Sequence, residues 1–487
     1  MVFSSLIFLY AFLPLSLLAY VLCRSREAKN TSLLIFSLIF YAWGEPKYVL
    51  LLMFMALTSW YCALRVGRSG SRREAKAWVA VSSCIDIALI GFFKYSGLVC
   101  SLFGQVPDFV SSIALPIGIS FYTFQLLTYV VDVYRGDAEA QSSYWNVLLY
   151  AALFHQCIAG PIVRYKTVAH ELFEERQAGP DLLPGISRFC IGLAKKALLA
   201  NPCGALADSL LLADKAASDA SAVTVNLQTL SATSALGLWV GVLAFSLQIY
   251  LDFSAYSDMA IGMGKMLGLH YLENFDYPYL SRTVTEFWRR WHISLGTFFR
   301  DYVYIPLGGR RCSGVRNVFN LFVVWALTGL WHGASWNFVF WGLWFFLFIL
   351  LERLFLKSLF DRIPRVFSHV YLLAVVFFGW IIFRFTDLKL GWTVFTGLFG
   401  GNGNVLSDFA SVTTLKNNVF LLLAAVLAST PLIRTLGARI SRRAGRSPAG
   451  QRLWQTVLYA VIPVALLLLS TASLVGDSYN PFIYFRF

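Results

Sequence analysis

The residue best suited to catalysis is His332, which lies in the apolar stretch Trp325–Trp336, WALTGLWHGASW. An ionisable side chain within a membrane-like segment is costly to bury, so it usually marks a functional site. Residues three and four apart are neighbours on a helix, so a helix through the whole stretch predicts Thr328 and Ser335 on the face of His332, beside Trp331. A histidine there can act as a general base or as a transient acyl acceptor. The alternative interpretation is an interfacial belt of tryptophan and histidine.

A second group of reactive and aromatic side chains lies in 275–311, a stretch too charged to span a membrane and too aromatic for an ordinary loop. Its notable members are Trp288, Arg289, Arg290, Trp291, His292 and Arg300. One continuous helix here predicts that His292 shares a face with both tryptophans, and that Arg289 and Arg290 point elsewhere. Such a helix is expected at the cytosolic membrane interface. The alternative is a basic amphipathic helix that only anchors the chain to anionic lipid.

The composition is that of a polytopic membrane protein. Of the 487 residues, 58% are hydrophobic and only 14% are charged, whereas soluble domains are about 25% charged. The formal net charge of +14 comes from short basic clusters between apolar runs. That is the positive-inside pattern, and it argues against nucleic-acid binding. The eight cysteines lack paired spacing and no histidines show metal-ligand spacing, so we predict neither a disulfide framework nor a metal site.

The apolar runs predict an all-α fold with about eleven membrane crossings and some re-entrant or interfacial helices. We expect a single polytopic domain over the whole chain. Its segments are N-terminal helices over 1–135, a core over 136–335 that holds both histidines, and C-terminal helices over 336–487. Strict alternation of sidedness fails within 145–212, so the re-entrant or membrane-surface helices are expected there.

The basic loops indicate the sidedness of the two histidines. Loops such as Arg310–Arg316 are expected in the cytosol, with both chain termini outside. His332 follows Arg316 by sixteen residues, which is roughly 24 Å of helix. We therefore expect His332 deep in the membrane and His292 near the cytosolic mouth, with a polar path between them.

Several motifs together resemble one enzyme family. WRRWHISLGTFFRDYVYIPLGG, followed about forty residues after His292 by LWHGASW, is similar to the membrane-bound O-acyltransferase family. Further similar segments are SFYTFQLLTYVVDVYRG (120–136), AGPIVRY (159–165), QIYLDFSAYSDMAIGMG (248–264) and the terminal YNPFIYFRF. Within the family, the chain most resembles members that acetylate exported bacterial polysaccharides such as alginate.

This resemblance implies a helical ring around a thin centre with a transmembrane tunnel. It implies acyl transfer from a thioester to a hydroxyl, with His332 matching the catalytic histidine and His292 lining the same pathway. The implied donor is acetyl-CoA, with no permanently bound cofactor. Arg289, Arg290 and Arg300 are expected to offer guanidinium groups to its phosphates, or else only to anchor the chain.

The implied location is the bacterial inner membrane, where an extracytoplasmic acetyltransferase partner completes transfer to a polysaccharide acceptor. Two alternatives within the family are teichoic-acid D-alanylation and peptidoglycan O-acetylation. A third alternative, from another class of protein, is a flippase or transporter that uses the same polar path without acyl chemistry.

The other polar residues in apolar runs have structural interpretations. Asp252 and Asp258 are six residues apart, about 120° from alignment on a helix, so we expect each to bond to a neighbouring helix or to an arginine. They are not expected to form a catalytic pair. His155 is expected to be a hydrogen-bonded core residue. Three further histidines lie in loop-like or boundary contexts, and we expect them to have no cluster of reactive neighbours: His170, His270 and His369.

Overall fold

The computed structural model describes residues 1–104, 106–158, 160–176, 178–212, 220–360, 362–476 and 479–482. Over these residues the chain is helical and contains no β-strand, so the predicted all-α fold is confirmed. Seven described helices are long and apolar enough to cross a membrane. They are Val49–Gly67, Arg72–Leu102, Ala235–Met266, Trp336–Leu356, Arg365–Arg384, Phe409–Ala428 and Pro448–Gly476. A shorter apolar helix, Phe8–Leu22, precedes them, and the count of about eleven crossings remains a prediction.

The chain forms two compact units whose segments alternate along the sequence. The first consists of Met1–Leu193, Tyr256–Glu273 and Tyr459–Leu474. Besides the spans already given, its helices are Phe8–Phe12, Leu13–Leu22, Arg26–Gly44, Asp108–Ser111, Ile119–Arg135, Tyr144–Ala152, Tyr165–Phe173 and Leu182–Ala194. The helix Ala235–Met266 supplies its last eleven residues to this unit and the rest to the other.

The second unit consists of Ala194–Ala255, Asn274–Leu458 and Val475–Phe487, and it holds both histidines of interest. Its shorter helices are Lys195–Ala200, Asn201–Leu211, Ala220–Ala232, Pro278–Leu280, Val284–Arg290, Ile293–Phe299, Arg300–Tyr304, Lys357–Phe360, Leu388–Gly397 and Leu432–Ala444. Its longer helices include Gly314–His332, Trp336–Leu351 with Glu352–Leu356, and Arg365–Arg384. The last span is divided into Pro448–Thr456, Val457–Val461 and Ile462–Gly476, and its part Tyr459–Leu474 belongs to the first unit.

In the first unit, the region predicted to hold re-entrant helices contains a short buried helix. Tyr144–Ala152 has only nine residues and ends in the buried, non-helical segment 153–158. Nine helical residues span about 14 Å, too short to cross a bilayer. His155 lies in this segment with no exposed surface, and its Nδ1 is 2.8 Å from the hydroxyl of Tyr271. The prediction that His155 is a hydrogen-bonded core residue is confirmed.

The prediction that His270 has no reactive neighbours is wrong. Its Nδ1 lies 2.6 Å from a carboxylate oxygen of Glu171, and its Nε2 lies 3.0 Å from one of Asp181. These hydrogen bonds raise the pKa of His270 above its ordinary 6.5, and that of Glu171 has the larger effect. The two acids precede His270 by 99 and 89 residues, so no local pattern around His270 indicated this cluster.

We expect this cluster to make stability depend on pH. Because the folded-state pKa of His270 is raised, its contribution is complete below pH 6.5 and is lost as pH rises through the raised pKa. His270→Gln should therefore lower the unfolding temperature of the purified protein below pH 6.5, with the difference shrinking at higher pH. The control is His170→Gln, because His170 is 65% exposed and 3.4 Å from Glu174 alone. An equal effect of both substitutions at every pH would contradict this assignment.

In the second unit, the helices Gly314–His332 and Trp336–Leu351 pack closely as a hairpin, which we call the glycine hairpin. A Cβ atom on Gly329 would lie 2.4 Å from the carbonyl oxygen of Phe338, and one on Gly342 would lie 2.4 Å from that of Trp325. No larger residue fits at either place, so the two backbones touch as in other membrane helix pairs with small residues at the interface. This packing fixes the end of the first helix, where His332 lies.

Gly342→Ala is expected to separate the hairpin and to destabilise the protein by about 1–3 kcal/mol, the usual cost of overpacking. The added methyl group has no space beside the carbonyl of Trp325. The matched control is Gly91→Ala, which lies in the helix Arg72–Leu102 with nothing within 4 Å of the added atom. Thermal unfolding of the purified proteins in detergent tests this difference. Equal unfolding temperatures for the two variants would show that the glycine contact is not required.

Candidate active site

His292 lies at a break between two short helices. Val284–Arg290 ends before it and Ile293–Phe299 begins after it, and His292 itself adopts the left-handed conformation with φ 45°. The predicted continuous helix is therefore wrong. The reason is Asn274, whose backbone carbonyl accepts from the N–H of Ile293 at 3.0 Å and whose side chain accepts from the N–H of Ser294 at 3.1 Å. These bonds satisfy the start of the second helix and allow the chain to turn at His292.

The same asparagine indicates the tautomer of His292. A backbone N–H can only donate, so the atom that accepts from Ser294 is the Oδ1 of Asn274. The Nδ1 of His292 lies 3.2 Å from that oxygen and must donate to it. The neutral ring therefore carries its proton on Nδ1 and its lone pair on Nε2. With 1% of its surface exposed, His292 is a buried imidazole whose orientation is set by Asn274.

His332 is the last residue of its helix. Gly333 and Ser335 are both extended, and Ser335 precedes the next helix, Trp336–Leu351. The prediction that Ser335 shares a helical face with His332 is therefore wrong, because the helix ends at the glycine between them. Thr328 remains in the same helix, where its hydroxyl donates to the carbonyl of Val324 at 2.7 Å. His332 thus projects from a helix end that the glycine hairpin holds in place.

Aromatic rings enclose His332, which is 4% exposed. Its ring lies 4.8 Å from Trp341 and 5.3 Å from Phe383, centroid to centroid, with both rings nearly perpendicular to the imidazole. Asn337 holds this wall, because its side-chain amide donates to the carbonyl of Phe383 at 3.1 Å. An apolar wall of this kind excludes bulk water, which strengthens any electrostatic interaction of the imidazole.

Trp331 connects the two histidines. Its ring lies 4.9 Å from His332 and 5.8 Å from His292, and Phe253 covers His292 on another side at 4.7 Å. The two imidazoles are thus neighbours across one indole. The predicted depths of the two histidines, one near the cytosolic mouth and the other deep in the membrane, remain predictions. The structure combines the two sequence motifs in a single site.

Trp288 and Trp291 pack within the second unit. Trp288 lies 4.9 Å from both Trp325 and Phe345, and Trp291 lies 4.9 Å from Trp380, between ring centroids. The contacts of Trp288 place the helix Val284–Arg290 against the glycine hairpin, and that of Trp291 is with the helix Arg365–Arg384. A helix whose aromatic residues contact protein is not merely a lipid anchor, so the structure disfavours that alternative.

Comparison of the amino-acid sequence with known proteins identifies its family. The sequence profile of the MBOAT, membrane-bound O-acyltransferase family, matches residues 47–394, which include both histidines. The chain belongs to this family. It is accordingly an O-acyltransferase and a multi-pass membrane protein.

Individual relatives of the acyltransferase align over most or all of its length. The probable alginate O-acetylase AlgI of Pseudomonas aeruginosa is 34% identical, and that of Azotobacter vinelandii is 36% identical, each over 100% of both chains. The peptidoglycan O-acetyltransferase of Helicobacter pylori is 29% identical over 83% of this chain and 80% of its own. The predicted family membership is confirmed.

The three arginines predicted to bind a donor differ in their surroundings. Arg290 pairs with Glu286 at 2.9 Å, and Arg300 pairs with its neighbour Asp301 at 2.6 Å. Arg289 is exposed and forms no ion pair with any residue that the structure describes. Of the three guanidinium groups in the acyltransferase, that of Arg289 is therefore the most accessible to an anionic ligand. Donor binding by these arginines remains a prediction.

Asp252 and Asp258 each have a cationic partner, as predicted, and they do not pair with each other. In the second unit, Asp252 lies 2.8 Å from the ammonium group of Lys196, with both side chains at most 2% exposed. In the first unit, Asp258 lies 2.6 Å from Arg188. A buried ion pair in a membrane protein needs such close pairing, because each unpaired charge would be costly.

The C-terminal segment Tyr479–Phe482 closes the polar cluster around Lys196. The ammonium of Lys196 also donates to the carbonyl of Pro481, and the side chain of Asn201 donates to that of Asn480 at 3.2 Å. The hydroxyl of Tyr479 donates to Asp208 at 2.6 Å, and Arg384 pairs with the same aspartate at 2.8 Å. Residues 483–487 of the predicted terminal motif lie outside the described residues.

Sequence reasoning missed several residues of the site. Trp341, Phe383 and Asn274 come from distant segments, and nothing local marked them as neighbours of the histidines. Lys196 did give a signal, because a lysine within the apolar run 186–212 is the partner that an acid in another apolar run requires.

Proposed function

We propose that this acyltransferase takes acetyl groups from a cytosolic thioester donor, acetyl-CoA, and passes them across the bacterial inner membrane. The acetyl groups then modify an exported, alginate-like polysaccharide through an extracytoplasmic acetyltransferase partner. In this proposal both chain termini lie outside. The observation that carries it is the pair of buried histidines on either side of Trp331. The full-length similarity to two probable alginate O-acetylases supports the choice of acceptor.

The two histidines supply complementary chemistry. In one route, His332 takes the proton of the acceptor hydroxyl as that oxygen attacks the thioester carbonyl, and the donor's thiolate leaves. In the other route, a ring nitrogen of His332 attacks the thioester carbonyl, the donor's thiolate leaves, and the acceptor hydroxyl then takes the acyl group from the imidazole. His292, whose lone pair lies on Nε2, positions the donor or serves as a second base. The surrounding aromatic wall protects the thioester from hydrolysis.

The arginines near this site have a separate role in the proposal. Arg289, Arg290 and Arg300 hold the phosphates of the donor at the cytosolic side, with Arg289 the most accessible. Guanidinium groups suit this task because they donate in pairs to phosphate oxygens.

The proposed function is tested with inverted membrane vesicles from cells that express the protein, its partner and the polymer. The vesicles receive acetyl-CoA labelled in the acetyl group. We expect label to appear on the polymer inside the vesicles, and only when the chain is present. Export of unlabelled polymer together with a lack of labelled product would favour the transporter alternative. Label that appears without the chain would exclude it as the acetyltransferase.

Peptidoglycan O-acetylation is a second candidate function. The Helicobacter pylori relative, a peptidoglycan O-acetyltransferase, aligns with 83% of the chain. The same vesicle experiment separates the two, because digestion with a muramidase releases label only if peptidoglycan is the acceptor. D-alanylation of teichoic acid would instead require an aminoacyl donor, and acetyl label would then remain in solution.

A further inference from the structure

The helix Leu432–Ala444 places no side chain in the protein core. Its large apolar residues are 46–65% exposed, and they are Leu432, Ile433, Leu436 and Ile440. Leu432, Leu436 and Ile440 repeat every four residues, so they form one stripe along the helix. Nothing in the described part of the chain covers this stripe. An exposed apolar stripe of this kind marks a surface that meets another apolar phase or partner.

The same region is strongly basic and contains no acid. Its arginines are Arg434, Arg439, Arg442, Arg443, Arg446 and Arg452, and no aspartate or glutamate occurs anywhere in 409–476. None of the six forms an ion pair with a carboxylate in the described ranges of the chain. Their charge is therefore available to an external anion.

The apolar stripe and the arginines meet in one pocket of about 470 Å³. The pocket is lined by Leu436, Arg439, Ile440, Arg442, Arg443 and Arg446. Three pairs of these residues are four positions apart: Leu436 with Ile440, Arg439 with Arg443, and Arg442 with Arg446. Positions four apart are neighbours along a helix, so the guanidinium groups lie about one turn from each other, beside the two aliphatic side chains. The pocket thus offers a cationic end and an apolar wall to the same ligand.

The connections of this helix place it at the membrane boundary. It follows the candidate span Phe409–Ala428 and precedes the candidate span Pro448–Gly476, with three residues between helices on each side. Three residues reach about 10 Å. The helix therefore lies where the spans leave the hydrocarbon, the level at which amphipathic helices rest on a bilayer.

We propose that the helix Leu432–Ala444, together with Arg446, binds an acidic phospholipid. Arg439, Arg442, Arg443 and Arg446 take the phosphate, and Leu436 and Ile440 contact the start of the acyl chains. A soluble anion would gain nothing from the apolar wall. An acidic protein could match the charge, but it would have to approach a helix tied closely at both ends to membrane spans. The site is independent of the proposed acyl-transfer chemistry.

The test titrates phosphatidylglycerol into the full-length, detergent-purified protein and counts bound lipids by native mass spectrometry. The triple variant Arg439→Gln/Arg442→Gln/Arg443→Gln should bind this lipid roughly 100-fold more weakly, because each basic residue near an anionic surface contributes substantially to binding. The matched control is Arg310→Gln/Arg311→Gln/Arg316→Gln, which removes the same charge from another basic loop and should retain wild-type affinity. Unfolding temperatures confirm that both variants are folded.

A second variant separates a lipid from other anions. Leu436→Ser/Ile440→Ser should weaken phosphatidylglycerol binding and leave the binding of inorganic phosphate unchanged. Unchanged lipid binding in this variant would overturn the proposal, as would equal losses in the two triple variants. Wild-type protein that binds inorganic phosphate as tightly as lipid would show a simple anion site. Tighter binding of polyglutamate than of lipid would show a surface for an acidic protein.

Discussion

His332→Ala should reduce O-acetylation of the exported polymer by about 100- to 10,000-fold, the range that a single general base contributes. The variant removes the imidazole that packs against Trp331, Trp341 and Phe383 at the end of its helix. Alanine fits that position in a helix, so the fold should persist. The measurement is the ester-bound acetyl content of the exported polysaccharide at matched amounts of membrane protein.

Another histidine of the second unit, which lies outside the candidate site, provides the control for this experiment. His369 is half-buried, and its Nδ1 lies 3.0 Å from the carbonyl of Ser281, outside the aromatic wall. His369→Ala loses one hydrogen bond, about 1 kcal/mol of stability, and should keep most of the acetylation. If His332→Ala acetylates as well as this control, the chemistry belongs to His292 or to the partner. Loss of the polymer itself would instead indicate a transport role.

Lys196→Met should destabilise the protein by about 3–5 kcal/mol, the usual cost of removing one partner of a buried ion pair. Methionine has a similar length but leaves the carboxylate of Asp252 buried without its cation, and both side chains lie at most 2% exposed. Thermal unfolding in detergent and the amount of protein in the membrane both report this loss.

The double variant Lys196→Met/Asp252→Leu shows whether charge is the reason. It removes both charges and should regain most of the lost stability, because an apolar pair of similar volume is often as stable as a buried ion pair. Lys195→Met is the local control, since the ammonium group of Lys195 donates to the hydroxyl of Ser254 at 3.3 Å and this lysine is partly exposed. A double variant as unstable as the single one would attribute the effect to packing instead.

The sequence was most informative where an ionisable residue lies within an apolar run. A histidine and two aspartates in apolar runs are costly, so their positions indicated the candidate site and the need for partners to both carboxylates without any knowledge of the fold. The membrane class followed from composition in the same way. The two histidine motifs lie in one unit and pack on the same indole, that of Trp331, although forty residues separate the two histidines.

The local geometry at both histidines was not predictable from periodicity. A regular helix was the natural expectation over 284–299, and it fails because Asn274, eighteen residues before His292, satisfies the start of a new helix. Ser335 leaves the face of His332 because the chain straightens at Gly333. Contacts between distant segments, such as Phe383 on His332 and Glu171 on His270, carry no signal in a single sequence.

The C-terminal segment Tyr479–Phe482 has a consequence for how the protein is made. Asp252 precedes Pro481 by 229 residues. Both members of the buried ion pair, Lys196 and Asp252, are therefore synthesised long before Pro481, whose carbonyl also accepts from the lysine. Until then, the Lys196 ammonium lacks one of its acceptors, and Asp208 lacks the hydroxyl of Tyr479. A chain that ends after its last span would thus be inserted in the membrane but would lack these hydrogen bonds to Lys196 and Asp208. Membrane proteases that sample such intermediates would distinguish it from a chain that carries this segment.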